Sequence, residues 1–74
     1  MRHADFAQRV VNEWGVDPRL IHQSCFEAWY HYTTEVEGKK KIIGEYTLRK
    51  GKVVFVLHRK DGTEVVYDEF REEL

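Results

Sequence analysis

The sequence predicts an α+β fold in which two short N-terminal helices pack on a three- to four-stranded antiparallel β-meander. Three observations support this prediction. Apolar residues near the N-terminus recur at helical spacing, whereas the second half consists of short runs in which apolar and polar residues alternate. Two turn signals, Lys50-Gly51 and Asp61-Gly62, separate those runs. The 74-residue chain is long enough for one domain, which spans residues 1–74.

The first helix is predicted over about residues 4–14. Its apolar stripe has an i, i+4, i+8 spacing and consists of Phe6, Val10 and Trp14. Asp5 and Gln8 have the spacing of a capping box at its start. Gly15 follows its end, where a left-handed residue commonly terminates a helix.

A second helix is predicted to begin at Asp17-Pro18, because Asp caps helices and Pro is favoured in the first turn. The residues after this signal fit both the spacing of a helix and the alternation of a strand. A helical stripe would contain Ile21, Cys25, Ala28, Trp29, Tyr32 and Val36. The aromatic and β-branched residues at 29–34 favour a strand. The prediction therefore divides the segment into a helix to about residue 26 and a strand over about residues 28–37.

The meander is predicted to follow a loop formed by Gly38 and the lysines at 39–41. Its strands are expected over about residues 42–49, 52–60 and 63–68. Each connecting turn is either a two-residue loop or a three-residue loop with glycine in a bulge. The two alternatives differ by one residue in register.

The middle strand of the meander carries apolar residues on both faces. Val53, Phe55 and Leu57 lie on one face, and Val54 and Val56 lie on the other. Such a strand is predicted to be central and covered on both sides. Two helices can cover one side. We expect the other side to lie against the acidic C-terminal segment, a curled edge strand or another molecule.

Composition argues against several classes of function. No apolar run approaches the length of about 18 residues that a membrane span needs, and the start of the chain lacks the apolar segment of a signal peptide. The single cysteine, Cys25, rules out an internal disulfide, so the cytosol is the expected compartment. A core this small has little room for a pocket of about 300–1,000 Å³. We therefore expect no enzyme, no cofactor and no small-molecule substrate.

The candidate metal ligands and nucleophiles are sparse. On a helix, His22 and Cys25 would share a face at i, i+3, but one cysteine without paired short spacings does not make a four-ligand zinc site. Cys25 falls in the apolar stripe, where cysteine is usually a small hydrophobic residue. His58 lies in a predicted strand, where we expect a structural histidine. No catalytic or metal-ligating residue is predicted.

Charge is segregated along the chain. Residues 1–37 contain three basic and six acidic residues, and residues 38–60 contain eight basic residues and one acidic residue. Residues 61–74 contain one basic residue and six acidic ones. The middle of the chain is therefore strongly basic between two acidic ends.

Protein–protein interaction is the function that the sequence predicts first. A small adaptor, inhibitor or regulator would act through an aromatic and apolar sheet face, and a homodimer through that face is one form of this interaction. The predicted interface consists of Trp29, Tyr30, Tyr32, Val54 and Val56.

A nucleic-acid-binding module is the alternative prediction. Its candidate residues lie in basic loops, at Lys39, Lys40, Lys41, Arg49, Lys50, Lys52, Arg59 and Lys60. Such clusters neutralise phosphates and release counterions. Lysines at strand ends also keep sheets soluble, and the net charge of −1 is low for a nucleic-acid binder. This alternative therefore ranks second.

Overall fold

The computed structural model describes residues 2–49 and 51–68. Helix α1 is His3–Trp14, and a 3-10 turn follows at Pro18–Leu20. The five strands are β1 His22–Phe26, β2 Trp29–Val36, β3 Lys39–Arg49, β4 Lys52–His58 and β5 Glu64–Asp68. They form one antiparallel sheet in the order β1-β2-β3-β4-β5. The α+β class and the antiparallel meander are therefore confirmed.

The predicted number of elements is wrong, because the described residues contain one α-helix rather than two and five strands rather than three or four. Only the first turn of the second helix forms. The Asp17 side chain accepts a hydrogen bond from the Arg19 amide at 2.9 Å, Pro18 follows it, and the turn ends at Leu20. From Ile21 onward the chain is extended, and β1 pairs with β2 along its whole length. Pairing with an existing strand avoids the cost of nucleating a short helix, so tertiary context overrides the start signal.

Helix α1 confirms the predicted segment and its end, but the predicted cap at its start is wrong. The helix begins at His3 with Arg2 as the N-cap residue, and no side chain caps it. Asp5 lies inside the first turn, where its negative charge favours the positive end of the helix dipole. Gly15 has a φ of 61°, and its amide donates to the Val11 carbonyl at 2.8 Å. That left-handed residue closes the helix.

Short turns fix the register of the meander. The two-residue turn Glu37-Gly38, with φ values of 53° and 79°, joins β2 to β3. Because this turn needs only two residues, the three lysines predicted to lie in a loop belong to β3. Arg49 pairs with Lys52, so the β3–β4 connection is the two-residue alternative.

The connection between β4 and β5 is the three-residue alternative with glycine in a bulge. Beyond the pair of His58 and Glu64, the Arg59 amide donates to the Thr63 carbonyl at 2.9 Å and the Gly62 amide donates to the Arg59 carbonyl at 3.1 Å. Gly62 has a φ of 91°, as the bulge position requires. The Asp61 carboxylate accepts hydrogen bonds from the Thr63 hydroxyl at 2.6 Å and from the Thr63 amide at 2.9 Å. These bonds, the hydroxyl bond first, lower the pKa of the Asp61 carboxyl and stabilise the loop.

The hydrophobic core lies between α1 and one side of the sheet, which we call the covered face. Phe6, Val10 and Trp14 form its helical side, as their spacing predicts. The sheet contributes the buried side chains of Tyr32, Ile43, Phe55, Leu57, Val65 and Tyr67. The ring centroids of Phe6 and Phe55 are 4.9 Å apart. The large side chains of α1 thus supply much of the buried apolar area.

A β-bulge and a glycine let α1 approach the sheet closely. The β2–β3 register shifts between Tyr32 and Thr33, and both Ile43 and Gly44 of β3 are buried. A Cβ atom on Gly44 would lie 2.7 Å from Cγ2 of Val10, well inside van der Waals contact. The close packing of α1 on β3 therefore requires glycine at this position.

Strand β4 has the two apolar faces that the sequence predicts, but only one of them is covered within the described residues. Phe55 and Leu57 are buried in the core, while Val54 and Val56 remain half-buried. Helix α1 packs against β3 and β4. No second helix of the described residues lies on the opposite side. The predicted cover on both sides is therefore not found in residues 2–49 and 51–68.

Candidate protein-interaction face

The side of the sheet turned away from α1 is the candidate site, and we call it the open face. The antiparallel register aligns its side chains in rows across the strands. One row contains Phe26, Trp29, Thr47 and Val54. The neighbouring row contains Ser24, His31, Glu45, Val56 and Val66. These two rows and the next one, which contains His22, Thr33, His58 and Glu64, form the open face.

Two aromatic side chains at the β1–β2 end of the open face are accessible to solvent. Phe26 is 68% exposed and Trp29 is 39% exposed. The ring of Trp29 meets the ring of His31 edge-on, with the centroids 3.9 Å apart. The valines of β4 and β5 at the other end are half-buried. The open face therefore has large rings at one end and small branched side chains at the other.

A polar cluster lies beside the valines. Nε2 of His58 is 3.0 Å from Oε2 of Glu45, and its Nδ1 is 3.5 Å from Oε1 of Glu64. The backbone of His58 is held from the covered side, where its carbonyl accepts a hydrogen bond from Nε1 of Trp14 at 2.7 Å. These contacts give His58 the structural surroundings that the sequence predicts for it.

The strand alternation divides the five predicted interface residues between the two faces. Trp29, Val54 and Val56 lie on the open face. Tyr30 and Tyr32 lie on the covered face, where Tyr32 is only 7% exposed and Tyr30 stacks on a tyrosine of β3 at 4.7 Å. The structure therefore brings three of the five together and separates the two tyrosines from them.

Phe26 and Val66 belong to the open face but not to the sequence prediction. A helix that runs to residue 26 hides the alternation that places Phe26 opposite Trp29. Val66 belongs to the alternating apolar and polar residues of the last strand, but alternation alone does not show which face of the sheet it occupies. That face is known only from the register of Val66 against Val56.

Tyr32 makes the stability of the covered face dependent on pH. Burial raises the pKa of Tyr32, and the negative charge and hydrogen bond of Tyr46 raise it further. Above about pH 10 the unfolded chain binds fewer protons than the folded chain, so the free energy of unfolding is expected to fall as the pH rises through about 10. Urea unfolding at about pH 8 and pH 11 measures this loss. Tyr32→Phe is expected to lessen it, and an equal loss in the variant contradicts the assignment.

Lysines predicted for nucleic-acid binding converge at one end of the sheet. The Nζ atoms of Lys41 and Lys60 lie 5.3 Å and 5.9 Å from the ring centroid of Trp14. Lys39 and Lys40 precede Lys41 in β3 and are exposed. Of these lysines, Lys41 therefore shares the pocket of Trp14 with Lys60, whereas the side chain of Lys40 points to the opposite face of β3.

The remaining basic candidates do not join this group. Lys52 is exposed at the opposite end of the sheet, next to the β3–β4 turn. Arg59 is 3.4 Å from the carboxylate of Glu13 and is paired with it. Lys50 and the side chain of Arg49 lie outside the described residues.

The pocket above Trp14 contains charges of both signs. Its lining consists of Trp14, Val16, Glu35, Val36, Glu37, Lys41 and Lys60. Trp14 is 5% exposed, and its ring nitrogen already donates to a backbone carbonyl. The ring is therefore the buried floor of the pocket and is not positioned as a platform for base stacking.

The geometry separates His22 from Cys25. Because β1 is a strand, the two side chains lie on opposite faces of the sheet, and the predicted helical pair is wrong. Cys25 is exposed, and its Sγ donates to the Glu27 carbonyl at 3.1 Å, so its predicted place in an apolar helical stripe is also wrong. Among the described residues, no group of three or more His, Cys, Asp and Glu side chains is arranged to hold a metal ion.

Comparisons with protein families, with curated proteins and with solved structures yield no match to this chain. Within residues 2–49 and 51–68, no helix combines the length and the apolar character needed to cross a membrane.

Proposed function

We propose that this chain is a small cytosolic protein-interaction domain that acts through the open face, and that its partner there is a second copy of the chain. One observation carries the proposal: Phe26 and Trp29 are exposed at one end of a sheet face whose other end consists of half-buried valines. Aromatic side chains of this kind supply much of the binding energy in protein interfaces. Exposed aromatic side chains next to half-buried aliphatic ones are typical of an interaction site.

The size gradient across the open face favours a second copy as the partner. Two sheets stack face to face at about 10 Å, with their side chains interdigitated. A two-fold axis parallel to β3 would place β2 of one copy over β4 of the other. The large ring of Trp29 would then meet the small Val54 of the second copy, and the reverse contact would occur at the other end. Large and small side chains facing each other in this way allow close packing.

One pair of polar side chains is complementary in the same arrangement. Under that rotation, β1 of one copy lies over β5 of the other, which brings His22 near Glu64 of the second copy. A histidine opposite a carboxylate gives complementary polar contacts at the rim of the interface. Glu45 of β3 lies on the axis opposite Glu45 of the second copy, and this pair of like charges opposes the arrangement.

Sedimentation equilibrium on the full chain, from micromolar to millimolar concentration, tests the proposal. A reversible monomer–dimer equilibrium is expected, together with a loss of acrylamide quenching of Trp29 fluorescence as the dimer forms. A Trp14→Phe background isolates the Trp29 signal. A monomer over the whole concentration range overturns the proposal, as does a dimer in which Trp29 stays as accessible as in the monomer.

Nucleic-acid binding is the second candidate, and the convergence of Lys41 and Lys60 on one pocket favours it. A phosphate backbone following that end of the sheet would contact these two ammonium groups and the exposed Lys40. Glu35 and Glu37 line the same pocket and oppose a polyanion, which ranks this candidate below the open face.

Charge reversal at Lys40, Lys41 and Lys60 is expected to abolish binding to a labelled pool of mixed single-stranded oligonucleotides. Fluorescence anisotropy at low and moderate salt measures it, and affinity for the unaltered chain should fall steeply with salt because counterions are released. Lys52→Glu, at the opposite end of the sheet, is the matched control and should retain most of the affinity. If the unaltered chain gives no anisotropy change at low salt, this candidate is rejected.

A further inference from the structure

Within the described residues, the two edge strands of the sheet differ in their protection. Strand β5 carries the acidic residues Glu64 and Asp68 at its two ends. Strand β1 has the sequence HQSCF, with no Asp, Glu, Lys, Arg or Pro, and all five of its residues are exposed. Natural sheets usually protect an edge with charges, proline or a bulge, because an unprotected edge pairs with other strands. The edge of β1 therefore has the character of a pairing edge.

The outward backbone groups of β1 are those of Gln23 and Cys25. Phe26 and Trp29 flank a two-residue turn and form the first pair of the β1–β2 ladder. In such a hairpin this pair is hydrogen-bonded, so the backbone N–H and C=O groups of Phe26 point toward β2. From there along β1, the backbone groups of successive residues point alternately away from β2 and toward it. The N–H and C=O groups of these two residues consequently face away from β2, at the spacing that an added strand requires.

A small apolar cavity lies beside this edge on the side of α1. Its volume is about 70 Å³, and its lining includes Ala7 and Val11 of α1 together with Ile21, Gln23 and Tyr32. It exists because α1 packs on β3 and β4 and leaves the β1 side of the covered face less filled. A cavity with this lining suits one aliphatic side chain.

Two further apolar side chains mark the ends of the edge. Leu20, just before β1, is 62% exposed, and Phe26, its last residue, is 68% exposed. Together with Trp29 they are the large hydrophobic side chains that the described residues leave exposed. Their position at both ends of an uncharged edge strand adds apolar contacts to the backbone hydrogen bonds of that edge.

We infer that the β1 edge binds an extended peptide segment of another protein, which adds a sixth strand to the sheet and places an aliphatic side chain in the cavity beside α1. In this mode, main-chain hydrogen bonds provide affinity and the side-chain pocket provides specificity. The occupant is an aliphatic peptide rather than a second copy of β1. A second β1 would present Gln23 and Cys25 toward α1, and neither is the aliphatic side chain that the cavity accommodates. This site shares Phe26 with the open face, but its hydrogen-bonding groups are the outward backbone groups of β1 and its pocket lies on the covered face.

The test uses a fluorescein-labelled heptapeptide, capped at both ends, in which Leu alternates with Thr between terminal lysines. Titration into the full chain should give a Kd below about 1 mM. Amide exchange at Gln23 and Cys25 should slow on binding. Cys25→Pro removes one outward donor, which an edge strand tolerates because the β1–β2 ladder does not use that N–H. It should weaken binding at least tenfold, whereas Cys25→Ser keeps the donor and should change it less than twofold.

Filling the cavity provides an independent variant that leaves β1 unaltered. Ala7→Leu should also weaken the peptide at least tenfold, and Gln8→Leu, on an exposed position of the same helix, is its matched control. No binding of the peptide by the unaltered chain overturns the inference. Equal affinity in the proline and serine variants does so too, as does peptide-induced amide protection confined to β4 and β5. Val56→Lys on the open face should leave peptide affinity unchanged, which separates this inference from the proposed dimer.

Discussion

Gly44→Ala is expected to lower the free energy of unfolding by about 1–3 kcal/mol, which is the usual cost of overpacking a core. The new methyl group would lie 2.7 Å from Cγ2 of Val10 and 3.2–3.3 Å from two ring atoms of Phe6. Val10 and Phe6 are among the most deeply buried side chains of the described residues, so neither can move without displacing α1. A chain of this length has a total stability of only about 4–11 kcal/mol. The bulkier Gly44→Val is therefore expected to prevent folding.

Urea unfolding followed by circular dichroism measures the effect, and a compensating variant tests its cause. Val10→Ala removes the atom that the new methyl group would meet. The double variant Val10→Ala with Gly44→Ala should be more stable than the sum of the two single changes predicts, by about 1 kcal/mol or more. Additive losses would show that the contact between α1 and β3 is not what requires glycine here.

Trp29→Ala is expected to weaken the proposed dimer by about 30-fold or more, because truncating an aromatic hot-spot residue in an interface commonly costs about 2 kcal/mol or more. Val56→Lys should weaken it at least as much, since it places an ammonium group in a sheet face that the dimer buries. Both residues are accessible or half-buried within the described part of a single chain. Neither change should therefore alter the fold greatly.

Sedimentation equilibrium gives the dissociation constants of these variants, and thermal unfolding verifies that each still folds. Gln8→Lys adds the same charge at an exposed position of α1, on the opposite side of the molecule from the open face, and should leave the dimer unchanged. A dimer that persists in both open-face variants with unchanged affinity would place the interface elsewhere on the molecule.

Several features could be predicted from the sequence because they depend on local chemistry. The spacing of Phe6, Val10 and Trp14 produces the apolar side of α1, and these three residues are buried. Gly15 ends that helix, as predicted, because glycine readily adopts the left-handed conformation found there. The alternation of Val53 to Leu57 likewise gives β4 two apolar faces, whatever the fold around it.

Whether the segment after Asp17-Pro18 forms a helix or a strand could not be predicted, because its residues fit the spacing of a helix and the alternation of a strand equally well. The competing structures have similar local propensities, and the decisive energy comes from the hydrogen bonds that residues 22–26 make to β2. The same choice determines the candidate site. Once β1 is a strand, Phe26 lies opposite Trp29 on the open face, while the tyrosines of β2 face the core.

The α+β class, the amphipathic helix and the two-faced strand follow from local sequence, because each depends on the spacing of apolar residues along one segment. Contacts between segments set which aromatic residues are buried, that α1 covers one side of β4, and that Gly44 must be small. These properties depend on strand register, turn length and the position of one helix. A shift of one residue in register moves a whole row of side chains to the other face, and only contacts between distant parts of the chain can fix it.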